Sequence, residues 1–360
     1  MGVVPCLMVV IRCKVLISAR IANKEIQMID LALIWAVIIA LGVLIYVILD
    51  GFDLGIGILF AFFPEDEDRR VMMNTVAPVW DGNETWMVLG GAGLFAAFPV
   101  VYSVVLTALY LPLLLMLVGL VLRGVAFEIR AKATRTRPVW DLAFMVGSAM
   151  ATFFQGVGLG AFIQGIAVVN HEFAGNGFDC FTAFSLFTGA GLLATYAVLG
   201  CGWLIIKTGG RLQSKMYRLM PPLTITLLAV IALVSLWTPL SQPLIAERWF
   251  GSALPWLWPV PLAVLACVYG ILRAVKARNE ILPYLLSLVV ITLGYLGFLI
   301  SIWPNLIPPG VSLWAAAAPA SSLKFALVGV VFILPVILFY TGYSYWVFRG
   351  KVQAHDEGYH

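Results

Sequence analysis

About nine times along this chain, an apolar run reaches the length of a bilayer crossing. A span needs about 20 predominantly apolar residues. The runs lie near residues 29–60, 78–98, 100–125, 141–168, 181–206, 219–240, 254–275, 282–303 and 324–348. In hydrocarbon every backbone polar group needs a partner within the chain, so such runs fold as helices. The expected fold class is all-α, a polytopic membrane protein with about nine transmembrane helices. Only 11% of residues are charged and 62% are hydrophobic, against about 25% charged in soluble domains. A soluble chain this apolar could not cover its own core with polar surface.

Lysine and arginine set the expected orientation, because cytoplasmic loops carry the excess of both. Arg69 and Arg70 follow span 1, and Arg123, Arg130, Lys132, Arg135 and Arg137 follow span 3. Lys207, Arg211, Lys215 and Arg218 follow span 5, Arg273, Lys276 and Arg278 follow span 7, and Arg349 and Lys351 follow span 9. Between spans the other side holds only Arg248 and Lys324. Span 1 is expected to start outside, and the C-terminal tail, 352–360, to be cytoplasmic. The net charge of +4 says little about nucleic acid, because the basic residues fall in short loops between spans; the expected surroundings are a lipid bilayer, with no nucleic acid.

Residues 1–27 oppose this bias, since Arg12, Lys14, Arg20 and Lys24 would lie outside. They show no clear small-residue cleavage site. Met28 stands directly before the first span, so residues 1–27 read as a start-site artefact or a disordered extension. A targeting segment is the alternative. Residues 28–351 form a single transmembrane domain. The Pro- and Trp-rich stretch 303–322 reads as an ordered outer loop.

Four carboxylates break the apolar pattern. Asp50 and Asp53 lie in DGFDLGIG at the end of span 1, and Asp81 and Glu84 in APVWDGNETW at the start of span 2. An ionisable group inside a membrane costs roughly 3 kcal/mol or more and marks an ion route or a buried partner. Asp50 and Asp53, at i and i+3, share a helical face. Gly51 and Gly55 let a second helix approach closely. All four acids belong to the cytoplasmic side, where with Trp80 and Asn83 they could line one hydrated proton path. A plainer reading has the first pair snorkelling at the surface and the second stabilising a helix N-terminus. Arg123, Glu128 and Lys132 are charge-partner candidates, or simple cytoplasmic anchors. Asp141 reads as a helix start.

No span contains histidine; His171 lies in an outer loop and His355 and His360 in the tail. A haem crossing a bundle needs axial ligands, usually histidine, so a bis-histidine haem held by this chain alone is excluded. Met145 and Met150 read as packing residues. The five cysteines show no CxxC spacing and read as packing residues. No histidine cluster or oxygen cage suggests a metal site.

DGFDLGIG, RRVMMNTVAPVWDGNETWMVLGGAGLFAAFP, LRGVAFEIRAK, GFDCFTAFSLFTGAGLLATYAVLG, PPGVSLW and LPVILFYTGYSYWVFRGK together resemble the second subunit of the cytochrome bd-type quinol oxidases. The form of WDGNETW followed by GGAGLFAAFP resembles the cyanide-insensitive branch. Cys180, Ala183 and Ala315 depart from residues common in relatives, at the outer loops.

The resemblance implies an inner-membrane oxidase subunit built as two four-helix bundles plus a peripheral helix. It implies a subunit I partner holding low-spin haem b, high-spin haem b and haem d, with quinol and dioxygen as substrates of the complex. This chain is expected to bind no cofactor alone, although a structural quinone and a small single-span subunit stay open. The resemblance also assigns proton access to Asp50, Asp53 and Asp81, with Trp80 and Asn83 beside them and Glu84 a weaker candidate. The competing class is a proton-coupled secondary transporter, which would show related halves with interrupted helices meeting mid-membrane. A haem-bearing cytochrome b is opposed by the histidine count.

Overall fold

The computed structural model describes residues 4–251 and 254–352, with side chains from Leu31 onward. Residues 1–3 and the tail beyond Val352, with His355 and His360, lie outside the residues so described, as do the side chains of residues 4–30, Cys6 and Cys13 among them.

The chain is helical almost throughout. Its elements run α1 (Val4–Leu59), α2 (Asp66–Asn74), α3 (Trp80–Ala97), α4 (Pro99–Ala108), α5 (Tyr110–Lys132) and α6 (Arg137–Gln164). A short hairpin, β1 (Val168–Val169) and β2 (Glu172–Phe173), leads to α7 (Ala183–Lys207), α8 (Gly210–Ser241), α9 (Pro243–Phe250), α10 (Leu254–Leu257), α11 (Pro259–Lys276) and α12 (Leu282–Ile302). A second hairpin, β3 (Asn305–Ile307) and β4 (Val311–Ser312), precedes α13 (Leu313–Ala316) and α14 (Ala320–Val347).

Eight spans among the described residues are long and apolar enough to cross a membrane. They are the Leu31–Phe62 part of α1 with its one-turn extension, α5, α6, α7, α8, α10 with α11, α12 and α14. The expected second span, 78–98, is α3. It has 18 residues and a polar first turn, which leaves it outside that set. The expected third span, 100–125, is displaced. The chain breaks at Leu109 between α4 and α5, just before Pro112, whose missing N–H is tolerated in a helix's first turn. The crossing helix is thus Tyr110–Lys132. Arg123, Arg130 and Lys132 lie on it rather than in a following loop. Likewise Arg211, Lys215 and Arg218 lie on the first turns of α8.

Helices α1, α3, α5 and α6 form one group, and α7, α8, α11 and α12 a second. The groups join where α7 packs on α1 and α6, and α14 lies outside them against α1 and α3. Glycine makes the α1–α7 seam. A Cβ at Gly55 would run into the Tyr196 carbonyl, and one at Gly200 would come within 2.6 Å of the Gly55 carbonyl carbon. Small residues let backbones touch in this way where dispersion drives helix association. Gly119 and Gly147 do the same for α5 and α6.

The helix ends rich in lysine and arginine share one face, where α2 acts as a clasp. Asp66 accepts from Arg130 at 2.9 Å and Arg137 at 3.1 Å, tying α2 to α5 and α6. Asp68 accepts from Lys215 of α8 at 2.5 Å. Asp141, expected only to open a helix, is buried and accepts from Arg130 and from Arg69, the latter at 3.1 Å. On the opposite face the 303–322 stretch is ordered, as its prolines and tryptophans suggest. Its hairpin and α13 cover a small core including Trp35, Phe98 and Leu313.

Candidate functional site: a buried acid–arginine cluster

Helix α1 turns Tyr46, Asp50 and Asp53 into the protein interior, and both aspartates are fully buried. Asp50 lies nine residues before the end of α1 at Leu59, about 14 Å along the axis. Neither aspartate snorkels to the surface.

The partner for Asp50 comes from α5. Arg123 is also fully buried and also nine residues from its helix end at Lys132. Its Nη1 donates to Asp50 Oδ1 at 2.5 Å, and its Nη2 to Glu84 Oε2 of α3 at 3.0 Å. Such charge-assisted bonds are about twice as strong as neutral ones. Asn83, one residue before Glu84, donates through Nδ2 to Asp53 Oδ2 at 2.8 Å. Its Oδ1 accepts from the Tyr345 hydroxyl of α14 at 2.9 Å.

The cluster is not closed. Tyr46 Oη, Asp50 Oδ2, Asp53 Oδ1 and Arg123 Nε are buried without a partner. Burying a polar group unpaired costs several kcal/mol in an apolar medium, so these atoms ask for water or protons. Three carboxylates face one guanidinium, and that surplus of negative charge requires the same.

A family model for cytochrome bd terminal oxidase subunit II matches residues 31–348. The chain belongs to the cytochrome bd terminal oxidase subunit II family. It is similar to the cytochrome bd-I ubiquinol oxidase subunit 2 of Escherichia coli K12, 27% identical over 91% of this chain and 96% of the relative. It is also similar to the cytochrome bd ubiquinol oxidase subunit 2 of Bacillus subtilis, 28% identical over 90% and 97%. Among solved structures, the bd oxidase of Geobacillus thermodenitrificans shares the fold. The TM-score is 0.68 at 15% identity, covering 86% of this chain and 97% of that one.

This cytochrome bd subunit II is therefore a multi-pass inner-membrane protein and one subunit of a terminal oxidase, an oxidoreductase complex that includes a subunit I. The transporter reading gives way to that membership.

Within the family frame, the structure sorts the candidate residues. Asp50, Asp53, Asn83, Glu84 and Arg123 meet in one cluster. Trp80 borders it, stacked on Phe127 with ring centroids 5.0 Å apart. Asp81 does not join. It points to the exposed side of α3, because it precedes Asn83 by two residues and a helix turns about 100° per residue. Glu84, the weaker candidate by resemblance, is the acid on Arg123. Glu128 and Lys132 are exposed on α5 and pair with none of these acids.

Sequence reasoning missed Tyr46 and Tyr345. Tyr46 carried a signal, being four residues before Asp50 and so on its face. Tyr345 lies 262 residues from Asn83, and nothing local points to that contact.

Proposed function

We propose that this chain is the haem-free half of a quinol:dioxygen oxidoreductase, and that its buried cluster carries protons toward subunit I. Reduction of one dioxygen to water consumes four protons. Drawing them from the cytoplasm while quinol releases its own outside builds a proton-motive force without a pump. The cation-rich face is the cytoplasmic one in this reading, by the bias of lysine and arginine.

The observation that carries the proposal is the open valence of the cluster. Asp53 uses one carboxylate oxygen and Asp50 one, and their second oxygens are buried and free. A purely structural ion pair would satisfy its lone pairs, since half-satisfied buried networks are costly. Arg123 keeps Asp50 and Glu84 facing each other across α1 and α3, and Asn83 orients Asp53. Protons held by these carboxylates offset the charge surplus.

The donor set does not fit a haem. The one histidine among the described residues, His171, is exposed in the turn between β1 and β2, and the spans offer no imidazole. The low-spin haem b, high-spin haem b and haem d of the complex belong to subunit I in this reading. No step of the electron path runs through this chain. The form of WDGNETW further suggests the cyanide-insensitive branch.

The test is Asp53→Asn in the purified complex. Quinol-dependent oxygen uptake should fall at least tenfold while the haem spectrum keeps its parent shape and intensity. Unchanged uptake with normal assembly sinks the proton role. Loss of the haems together with activity would instead assign the aspartate to assembly.

A further inference from the structure

The buried cluster has no direct opening in the helix that carries its aspartates. Phe52, Leu54, Ile56 and Leu59 of α1, and Phe60 just after it, are buried as fully as the aspartates. The route inward must therefore come between helices. Of the described seams, the one between α3 and α14 holds a small cleft of about 20 Å³, room for about one ordered water. Its walls are Pro78, Gly82 and Asn83 on one side and Thr341, Ser344 and Tyr345 on the other. Four hydroxyl-bearing side chains, Tyr340 among them, and an amide line it, which suits an ordered water with its two to four polar partners. There is room at Gly82, where the nearest atom to a Cβ would be the Tyr340 ring at 3.9 Å.

The cleft ends on the two residues that lead to Asp53. The Tyr345 hydroxyl donates to Asn83 Oδ1, and Asn83 Nδ2 donates to Asp53 Oδ2. An amide does not carry a proton at this point, but its orientation matters. Were Asn83 flipped, its carbonyl oxygen would face the carboxylate and the hydroxyl would lose its acceptor. Tyr345 thus holds the amide so that Asp53 Oδ2 is occupied and Oδ1 stays free.

We propose that the cleft between α3 and α14 is the aqueous entry to the buried acids, and that Tyr345 is its positioning residue, orienting Asn83 so that Asp53 accepts the incoming proton. This rests on the proton role of the cluster. It gives α14, whose span is only 6% buried inside the protein, a task beyond lipid contact. The Tyr345 ring packs edge-on against Trp203 at 5.8 Å and Phe52 at 6.4 Å. The two roles, ring packing and hydroxyl, are therefore separable by one substitution.

Tyr345→Phe in the complete oxidase removes the hydroxyl and keeps the ring. Turnover at saturating quinol should fall roughly threefold to tenfold, the worth of one hydrogen bond. The KM for quinol and the haem spectrum should not change. The deficit should widen as pH rises, because fewer protons reach the entry. Asp53→Asn is measured beside it. If Asp53→Asn is impaired while Tyr345→Phe matches the parent at every pH, the entry is elsewhere and the acid path stands. If both match the parent, the acid path fails and this entry with it.

Should Tyr345→Phe not assemble, Ser344→Cys decides. It is treated with a charged, membrane-impermeant methanethiosulfonate beside an equally treated parent. Slowed oxygen uptake on modification supports the entry. Full uptake after complete modification overturns it.

Discussion

Arg123 donates to Asp50 across 2.5 Å, and neither side chain has any exposed surface. This pair joins α5 to α1 in the buried interior of the protein. Removing one partner of a buried pair typically costs about 3–5 kcal/mol, because the other charge is left uncompensated. Arg123→Gln is therefore expected to lower the yield of assembled complex and its thermal midpoint. Arg123→Met combined with Asp50→Leu should recover part of that stability without recovering turnover. Thermal denaturation and oxygen uptake on the same preparations check both halves.

Glu84 tests the cluster from the other side. Its carboxylate takes the second nitrogen of Arg123, and its side chain is 25% exposed, against none for Asp50. Glu84→Gln leaves the Asp50 pair intact and keeps a hydrogen-bond acceptor at 3.0 Å. Assembly should survive, with turnover reduced by about 100-fold, the size of a lost proton-transfer group at the low end. Steady-state oxygen uptake with a haem spectrum as loading control reads this directly.

Gly55 sits where α1 and α7 meet backbone to backbone. Gly55→Leu has no side-chain rotamer to relieve the contact with the Tyr196 carbonyl. Overpacking a tight core costs about 1–3 kcal/mol, and more where only backbone can move. The two helix groups should separate, seen as loss of the subunit from the purified complex. Gly91, with nothing near its absent Cβ, is the matched control, and Gly91→Ala should assemble normally.

At the cation-rich face, Glu280 accepts from Lys351 at 2.6 Å and from Gln213 at 2.8 Å. These bonds hold its carboxyl below the ordinary value, the Lys351 bond first and the Gln213 bond second. A carboxylate with a depressed folded value contributes above its unfolded value, about 4.3. That contribution is lost as pH falls through the lower folded value. The fastening of the chain around Lys351 should therefore be constant from neutral pH down to about 5 and weaken below. Limited proteolysis after Gly350 as a function of pH should show this, and Lys351→Met should make cleavage faster at neutral pH.

Much of the cluster was legible from DGFDLGIG and APVWDGNETW, since acids in apolar helices need a reason to be there. Their division of labour was not. Asp81 and Glu84 are three residues apart on α3, yet one is exposed and the other faces Arg123. Which face of α3 turns inward depends on where α1 and α5 lie, and composition within α3 is too mixed to say. Asp141 was misread for a related reason. Its partners Arg69 and Arg130 belong to α2 and α5, and only the clasp of α2 brings them to it.

The sequence by itself determined the helical class, the lipid environment and the sidedness of charge. Each of these is a local sum over residues, of hydropathy or of lysine and arginine. It also showed that the spans hold no histidine. The break at Leu109, the depth of Arg123 and the meeting of Tyr345 with Asn83 were decided only by tertiary structure. Those depend on how closely glycine lets α1 approach α7, and on how α14 lies across α3. Such distances are set by packing between segments far apart in the chain, which no local pattern encodes.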